Sequence, residues 1–264
     1  MPTSVQTILR RYLFLWVFLL IIVIGTAAYL LGYRVGPGIT LARVGNLDVT
    51  NLPKGATIYV DQVSRGTTAA AGDKNVELVG GNHTIIVSVT GDYPWNDLVS
   101  ITSGKTTKVN PILITMQPDA TALTGDAKTA AIARVASTTL PTESAPLTLA
   151  NGCAHVYVSN NQVIADPVTN SGCTPPPYLC VNKAGCASTI IFSPVVKLSA
   201  VLPYPGRQDA ILVAFNNVLY ALALDPRSPQ YFAPVLTATQ PQFGTLSDGT
   251  VIVENGSSVF SIKL

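Results

Sequence analysis

Charge is what this 264-residue chain has least of: 11% of its residues are Asp, Glu, Lys or Arg, and 16 basic against 14 acidic residues leave a net charge of +2. So weak a field cannot hold a nucleic-acid backbone, which excludes binding of that kind. Histidine is nearly absent, with His83 and His155 the two copies. They are 72 residues apart and fall on different predicted strands. There is no Gly-x-Ser-x-Gly elbow, no phosphate loop, no His-Glu-x-x-His pair and no close pair of carboxylates. No catalytic residue, metal ligand or cofactor is therefore assigned. The 20 Gly and 19 Pro, about one residue in seven, argue against long helices and for short strands joined by turns. What the chain does have is apolar residues, 48% of the total, with a mean hydropathy of +0.38.

Residues 12–31 carry no charge, and thirteen of the twenty are Leu, Ile, Val or Phe. A helix of that length spans roughly 30 Å, and its apolar residues contribute about −4 to −8 kcal/mol to insertion. Tyr12, Tyr29 and Tyr33 lie near the ends, where amphipathic rings prefer the interface. The reading is a retained signal anchor over 12–33, with residues 1–11 as a cytoplasmic tail. Arg10, Arg11 and the amino terminus precede the run, Arg34 and Arg43 follow it, and this asymmetry of about three charges to two favours an inside N-terminus. The competing reading is a signal peptide cleaved near Thr26, Ala27 and Ala28.

Residues 34–45, with Gly36, Pro37 and Gly38, read as a spacer. Alternation then begins: Leu47 and Val49, Ile58 and Val60, Ile85 and Val87, Val99 and Ile101 each occupy every second position, as strands with one buried face require. Turn residues such as Gly80-Gly81, Gly91-Asp92 and Ser103-Gly104 separate the runs. The pieces Pro53-Lys54-Gly55-Ala56-Thr57-Ile58-Tyr59-Val60-Asp61, Arg65-Gly66-Thr67, Gly81-Asn82-His83-Thr84-Ile85-Ile86-Val87, then Tyr93, Trp95 and Gly104, make residues 46–116 resemble a PEGA domain. Gln62 stands where that family usually has Gly, Thr68 where it usually has Pro, and Asp92 interrupts the usual Gly-Tyr pair. The resemblance implies a small extracytoplasmic β-sandwich that acts as a structural or interaction module, without catalytic residues. Tyr93 and Trp95, beside a turn, are the candidate binding residues; the resemblance favours their packing into the sandwich.

Between residues 117 and 150 the composition shifts to Ala, Thr and Pro and periodicity fades, which predicts an interdomain linker. Within it, residues 126–135 could form a short helix capped by Asp126. Residues 151–264 turn β-rich again. Strands are expected over 155–159, 163–165, 195–198, 210–215, 218–224, 250–254 and 259–264, with tight turns at Asn216-Asn217 and Asn255-Gly256. Leu219-Tyr220-Ala221-Leu222-Ala223-Leu224-Asp225-Pro226-Arg227 and the run from Asp248 to Leu264 resemble the closing propeller blades of bacterial membrane-anchored PEGA proteins. The region is too short for a ring of four to eight blades, which leaves a truncated propeller or a sandwich.

Cys153, Cys173, Cys180 and Cys186 lie in one window of the exported part. An even set in an oxidising compartment favours two disulfides with three possible connectivities, over zinc, whose paired Cys-x₂₋₄-Cys spacing is missing, and over free thiols.

The expected fold class is mainly β: one N-terminal transmembrane helix, a small PEGA-type β-sandwich, and a compact β domain with blade-like hairpins. The expected protein is a non-catalytic, single-pass protein of the cytoplasmic membrane, with the bilayer as partner through residues 12–33. The bulk of the chain would lie outside, binding envelope polymer or another surface protein. The alternative is an extracytoplasmic enzyme with its site in the C-terminal β domain. A sensor signalling inward would need a partner within the membrane, since eleven residues are too few for a cytoplasmic domain.

Overall fold

The computed structural model describes residues 3–35, 41–169, 172–180, 185–227, 229–239, 241–246 and 248–264, without the side chains of residues 3–11, 14 and 35. Gly36, Pro37 and Gly38 of the expected spacer lie outside the described residues. The chain is mainly β and divides into two units, Met1–Ile85 with Val99–Pro111, and Ile86–Leu98 with Ile112–Leu264.

In the first unit, α1 (Thr3–Leu30) is 28 residues long, about 42 Å at 1.5 Å per residue. Its described large apolar side chains from Tyr12 to Ile24 are 47–68% exposed. Among the described residues no helix is long and apolar enough to cross a membrane. The segment read as 12–33 is redrawn, because the helix stops earlier. Gly32, at φ +81°, donates its N–H to the Tyr29 carbonyl and turns the chain, a conformation that glycine adopts without strain. Tyr33 then enters strand β1 (Tyr33–Val35). The Arg34 guanidinium sits 3.9 Å from the Tyr29 ring centroid and donates to the Tyr29 carbonyl. The described residues of the expected spacer, 34–35 and 41–45, are strand as well.

β2 (Leu41–Leu52) pairs antiparallel with β1 and with β5 (Gly72–Val79), and parallel with β9 (Thr106–Val109). The second sheet has the order β4 (Val63–Thr67), β3 (Thr57–Val60), β6 (Gly81–Ser88), β8 (Trp95–Ile101). The alternating residues Leu47, Val49, Ile58, Val60, Ile85, Val87, Val99 and Ile101 are all buried. The division between units cuts through two of these strands, after Ile85 in β6 and before Val99 in β8.

Of the departures from the PEGA pattern, that at Thr68 has a local explanation. Thr68 is buried, and its hydroxyl donates to the Pro53 carbonyl at 2.6 Å while accepting the Ala56 N–H at 2.9 Å. It closes the loop by hydrogen bonds where proline would close it by fixing φ. Asp61 and Gln62 both take positive φ, +49° and +69°, at the β3–β4 turn.

In the second unit, β7 (Asp92–Tyr93) pairs with β10 (Ile114–Thr115). Three four-stranded antiparallel sheets follow. The first runs β12 (Leu147–Leu149), β13 (Ala154–Ser159), β14 (Gln162–Pro167), β15 (Thr189–Phe192). The second runs β16 (Ala200–Pro203), β17 (Ala210–Phe215), β18 (Val218–Ala223), β19 (Phe232–Thr237). The third holds β20 (Gln242–Thr245), β21 (Val251–Asn255) and β22 (Ser258–Ile262). Its fourth strand is β11 (Ala120–Ala122), which pairs with β22 from 140 residues away in sequence.

The first two sheets share a core of Val156, Val163, Ile191, Ile211, Val213, Leu222 and neighbours. Phe192, Phe215, Tyr220 and Phe232 complete it with ring centroids 4.5–6.3 Å apart, distances at which aromatic pairs attract. Asn216 and Asn217 take positive φ as expected, whereas at the last hairpin the turn residues are Gly256 and Ser257, with Asn255 paired to Ser258. No strand covers 195–198: Val195 and Val196 are exposed in a loop that Asn161 fixes through three side-chain hydrogen bonds, and the strands lie on either side, at β15 and β16.

The expected linker is not one. Besides β11 and β12, residues 117–150 hold α2 (Gly125–Ala136), whose Ala131 and Val135 pack on Ile252 and Val259 of the third sheet. Asp126 is not its cap; Thr124 occupies that position and makes no side-chain cap bond, while Asp126 lies in the first turn, where a carboxylate still favours the helix dipole. Small residues made this segment look unstructured. They let the helix lie close: a Cβ on Gly244 would come within 3.1 Å of Thr138 Oγ1 and 3.3 Å of Val135 Cα.

Candidate functional site

Five features of the described residues carry polar or covalent chemistry. The first is the cysteine set. Cys153, in the turn before β13, is bonded to Cys173, and Cys180, after the short 3-10 turn Pro177–Leu179, is bonded to Cys186. This is one of the three open connectivities, with each cysteine joined to its sequence neighbour. Both bonds staple the long connection between β14 and β15.

The expected binding aromatics part company. Trp95 is 4% exposed and belongs to the core, which removes it from any surface. Tyr93 is half-buried in β7, opposite Ile114. Close by in the same unit, Tyr231 is buried, its hydroxyl has no hydrogen-bond partner among the described residues, and desolvation first, then the field of Tyr204, Asp92 and Tyr93, pushes its pKa well up.

His83 and His155 are not brought together. His83 bridges Asp61 and the Val79 carbonyl, and His155 stands opposite Asp166 across β13 and β14. Among the described residues no group of three or more His, Cys, Asp or Glu is placed to hold a metal ion.

The feature that pattern reading missed is a charged joint in the second unit. At the turn leaving β18, Arg227 grips Asp225 through Nε at 2.8 and 3.0 Å and through Nη2. At the turn entering β17, Arg207 grips Asp209 at 2.9 and 2.7 Å. Such forked pairs hold guanidinium and carboxylate planes together. Asp97 of β8 and Tyr178 of the 3-10 turn lie in the field of these groups. Burial first, then repulsion by Asp225 and Asp209, raises the Asp97 carboxyl above its ordinary value, although the Leu98 N–H bonds it at 2.7 Å. Tyr178 is 8% exposed, its hydroxyl is unpaired among the described residues, and burial raises its pKa strongly. A signal existed: in a chain so poor in charge, Arg207-Gln208-Asp209 and Asp225-Pro226-Arg227 concentrate four charged residues in two tripeptides.

The remaining feature is a cleft of about 740 Å³ lined by Asp119, Thr121, Pro205, Asp248, Lys263 and neighbours. Asp248 spends one carboxylate oxygen on the Thr250 N–H at 2.9 Å, and that bond, first, holds its carboxyl below the ordinary value.

The two sheets of residues 41–109, their turn glycines and their buried alternation set the frame for the comparison with known families. Residues 44–115 match the family of the PEGA domain. The chain carries a PEGA domain. The matched stretch agrees to within two residues at either end with the unit expected from the alternation and the turn pieces. No curated protein matches the chain. The joint is thus built from one residue of the PEGA domain, Asp97, and from turns that lie beyond it.

Proposed function

We propose that the chain is a non-catalytic, single-pass protein of the cell envelope. Its N-terminus lies inside, α1 anchors it in the cytoplasmic membrane, and the PEGA domain and the three C-terminal sheets stand outside. There they bind envelope polymer or another surface protein. The observation that carries this reading is the uncovered apolar surface of α1. Leu13, Leu15, Trp16, Phe18 and Ile21 are each more than 60% exposed, and a soluble chain does not leave such a surface in water. Phe14 joins Leu13 to Leu15 in sequence, so the uncharged run of 12–31 is continuous and long enough for the hydrocarbon core. The two disulfides support the outside location of the C-terminal region, since reducing compartments keep thiols reduced.

The C-terminal sheets are blade-like in this reading. Each is a four-stranded antiparallel unit, β16 neighbours both β12 and β20, and β11 completes the last sheet from the N-terminal side. This is how propellers close. Carbonate extraction of native membranes tests the anchor, which should keep the full chain in the pellet. Protease added to intact spheroplasts should remove the PEGA domain and all four cysteines. Release by carbonate, or full protection from the protease, would reject the topology.

A further inference from the structure

We propose that the edge of the PEGA domain nearest α1, formed by Tyr33, Leu41, Arg43 and Lys105, lies on the bilayer surface and binds the headgroups of anionic phospholipids. The inference rests on the anchoring role of α1 proposed above. It starts from how closely helix and domain are joined within the first unit. Leu30 ends α1, Gly32 turns the chain, and Tyr33 opens β1. The Val44 N–H donates to the Gly32 carbonyl at 2.9 Å, the Gly104 N–H to the Val44 carbonyl at 2.8 Å, and the Asn46 N–H to the Lys105 carbonyl at 2.9 Å. Two strand spacings of about 4.8 Å therefore separate the helix exit from the turn that carries Lys105. Arg34 closes the same corner. Its guanidinium donates to the Tyr29 carbonyl at 2.9 Å, lies 3.9 Å from the Tyr29 ring centroid and meets Glu77 at 3.4 Å. The β1–β2 hairpin is thus held back against the last helical turn, and with α1 in the bilayer it stands at headgroup depth, a layer about 5–8 Å thick.

The residues of this edge suit that depth. Tyr33 stands opposite Arg43 across β1 and β2, and Leu41 follows on the same face two residues away. Leu41 is 68% and Tyr33 40% exposed. An apolar residue and an amphipathic ring beside long basic side chains is the composition of a membrane interface. The Arg43 guanidinium lies over Gly104, 3.1 Å from where a Cβ would stand, and so beside Lys105 in the chain. Glu77 is met by Arg34, and Asp48 by Lys108 at 3.8 Å. Arg43 and Lys105 are exposed and make no ion pair among the described residues. These two charges are left to face an anionic surface, where each basic residue strengthens association about fivefold.

Hydrogen–deuterium exchange of the full chain tests the contact, in lipid nanodiscs of phosphatidylcholine alone and of phosphatidylcholine mixed with phosphatidylglycerol. Wild type should exchange more slowly over 41–45 and 103–106 in the anionic discs, by up to about 25-fold for the two residues together. Arg43→Gln with Lys105→Gln should exchange alike in both discs, and Lys105→Gln alone should keep a difference of about fivefold. Both side chains are exposed, so the core strands holding Ile58 and Ile85 should exchange as in wild type, which shows that the variants are folded. Inorganic phosphate added to the neutral discs should change nothing. Equal exchange of wild type in the two discs, a double variant that keeps the difference, or the same protection from inorganic phosphate would each overturn the lipid contact and leave the anchor standing. A chain that does not enter the discs would overturn the anchor, and the lipid contact with it.

Discussion

The Asp61 carboxylate lies 2.7 Å from Nδ1 of His83 and accepts the Thr84 N–H at 3.0 Å. The other ring nitrogen of His83 faces the Val79 carbonyl at 2.8 Å. Both ring nitrogens therefore face oxygen atoms. Asp61 is a turn residue at positive φ, and these bonds pin the β3–β4 hairpin to β6. Burial pushes its carboxyl up, but the bonds from His83 and Thr84, with the charges of His83 and Arg65, outweigh burial and hold it below the ordinary value.

Removing that carboxylate has a predictable cost. Asp61→Ala leaves the His83 ring and the Thr84 N–H without their acceptor, and should destabilise the PEGA domain by about 1–2 kcal/mol. Because the folded carboxyl is lowered, its contribution is present above the unfolded value and is lost as pH falls through the folded one. Urea titrations at neutral pH and at about pH 3 should show the gap between wild type and Asp61→Ala shrinking in acid. A gap of constant size would mean that the carboxylate charge does not matter.

The neighbouring residue gives the opposite sign. Gln62 is held at φ +69°, where a side chain costs about 1 kcal/mol that glycine does not incur. No side-chain hydrogen bond of Gln62 opposes the change among the described residues. Gln62→Gly should raise the denaturation midpoint slightly, by up to about 0.5 kcal/mol in stability after the greater chain entropy of glycine is subtracted. A lowered midpoint would show that the side chain contributes more than the backbone loses.

Gly244 supports a third prediction. Val at this position would drive into Val135 and Thr138, whose nearest atoms are 3.1–3.3 Å from an ideal Cβ. Overpacking of this kind costs about 1–3 kcal/mol, and α2 has few other buried contacts to resist it. The bonds from Lys128 Nζ to the Ser257 carbonyl and from Arg134 Nε to the Thr245 carbonyl should weaken together. Limited proteolysis should then cut Gly244→Val within 125–136, while wild type is cut elsewhere first. Equal cutting rates would show that α2 is not held by this contact.

Legibility of the fold followed the range of the interactions. Leu47, Val49, Ile58 and Val60 announce their strands because burial on one face is written locally, with period two. Asn216 and Asn217 announce their turn because positive φ is a property of the residues themselves. β11 could not be read in this way: Ala120, Thr121 and Ala122 are strand only because β22 accepts them across most of the C-terminal region. α2 was visible as a helix but not as a packed one, since the small residues that lower its hydrophobic signal are those that let it approach Gly244. The site follows the same rule. Four cysteines in one window imply bonds, yet the Asp97 carboxyl is raised by burial first and then by Asp225 and Asp209, more than a hundred residues away. Trp95, beside a turn, reads as a candidate binding residue that the family resemblance favours as packed, and the sheet it belongs to buries it.

The disulfides differ in the loops they close, and so should their loss. Cys153 and Cys173 are 20 residues apart, Cys180 and Cys186 only 6. On the chain-entropy account the longer loop contributes about 3 kcal/mol and the shorter about 2. The double replacement Cys153→Ser with Cys173→Ser should therefore lower the stability of the C-terminal region more than Cys180→Ser with Cys186→Ser. The first pair also anchors the turn at Cys153, whose carbonyl accepts the Val168 N–H and whose strand β13 is central to its sheet, so the difference should reach the core shared by the first two sheets. Thermal unfolding of the two variants, followed by exchange at Val156 and Val163, measures it. Larger destabilisation from loss of the shorter loop would show that local strain relief or residual structure in the unfolded chain, rather than loop length, governs these bonds.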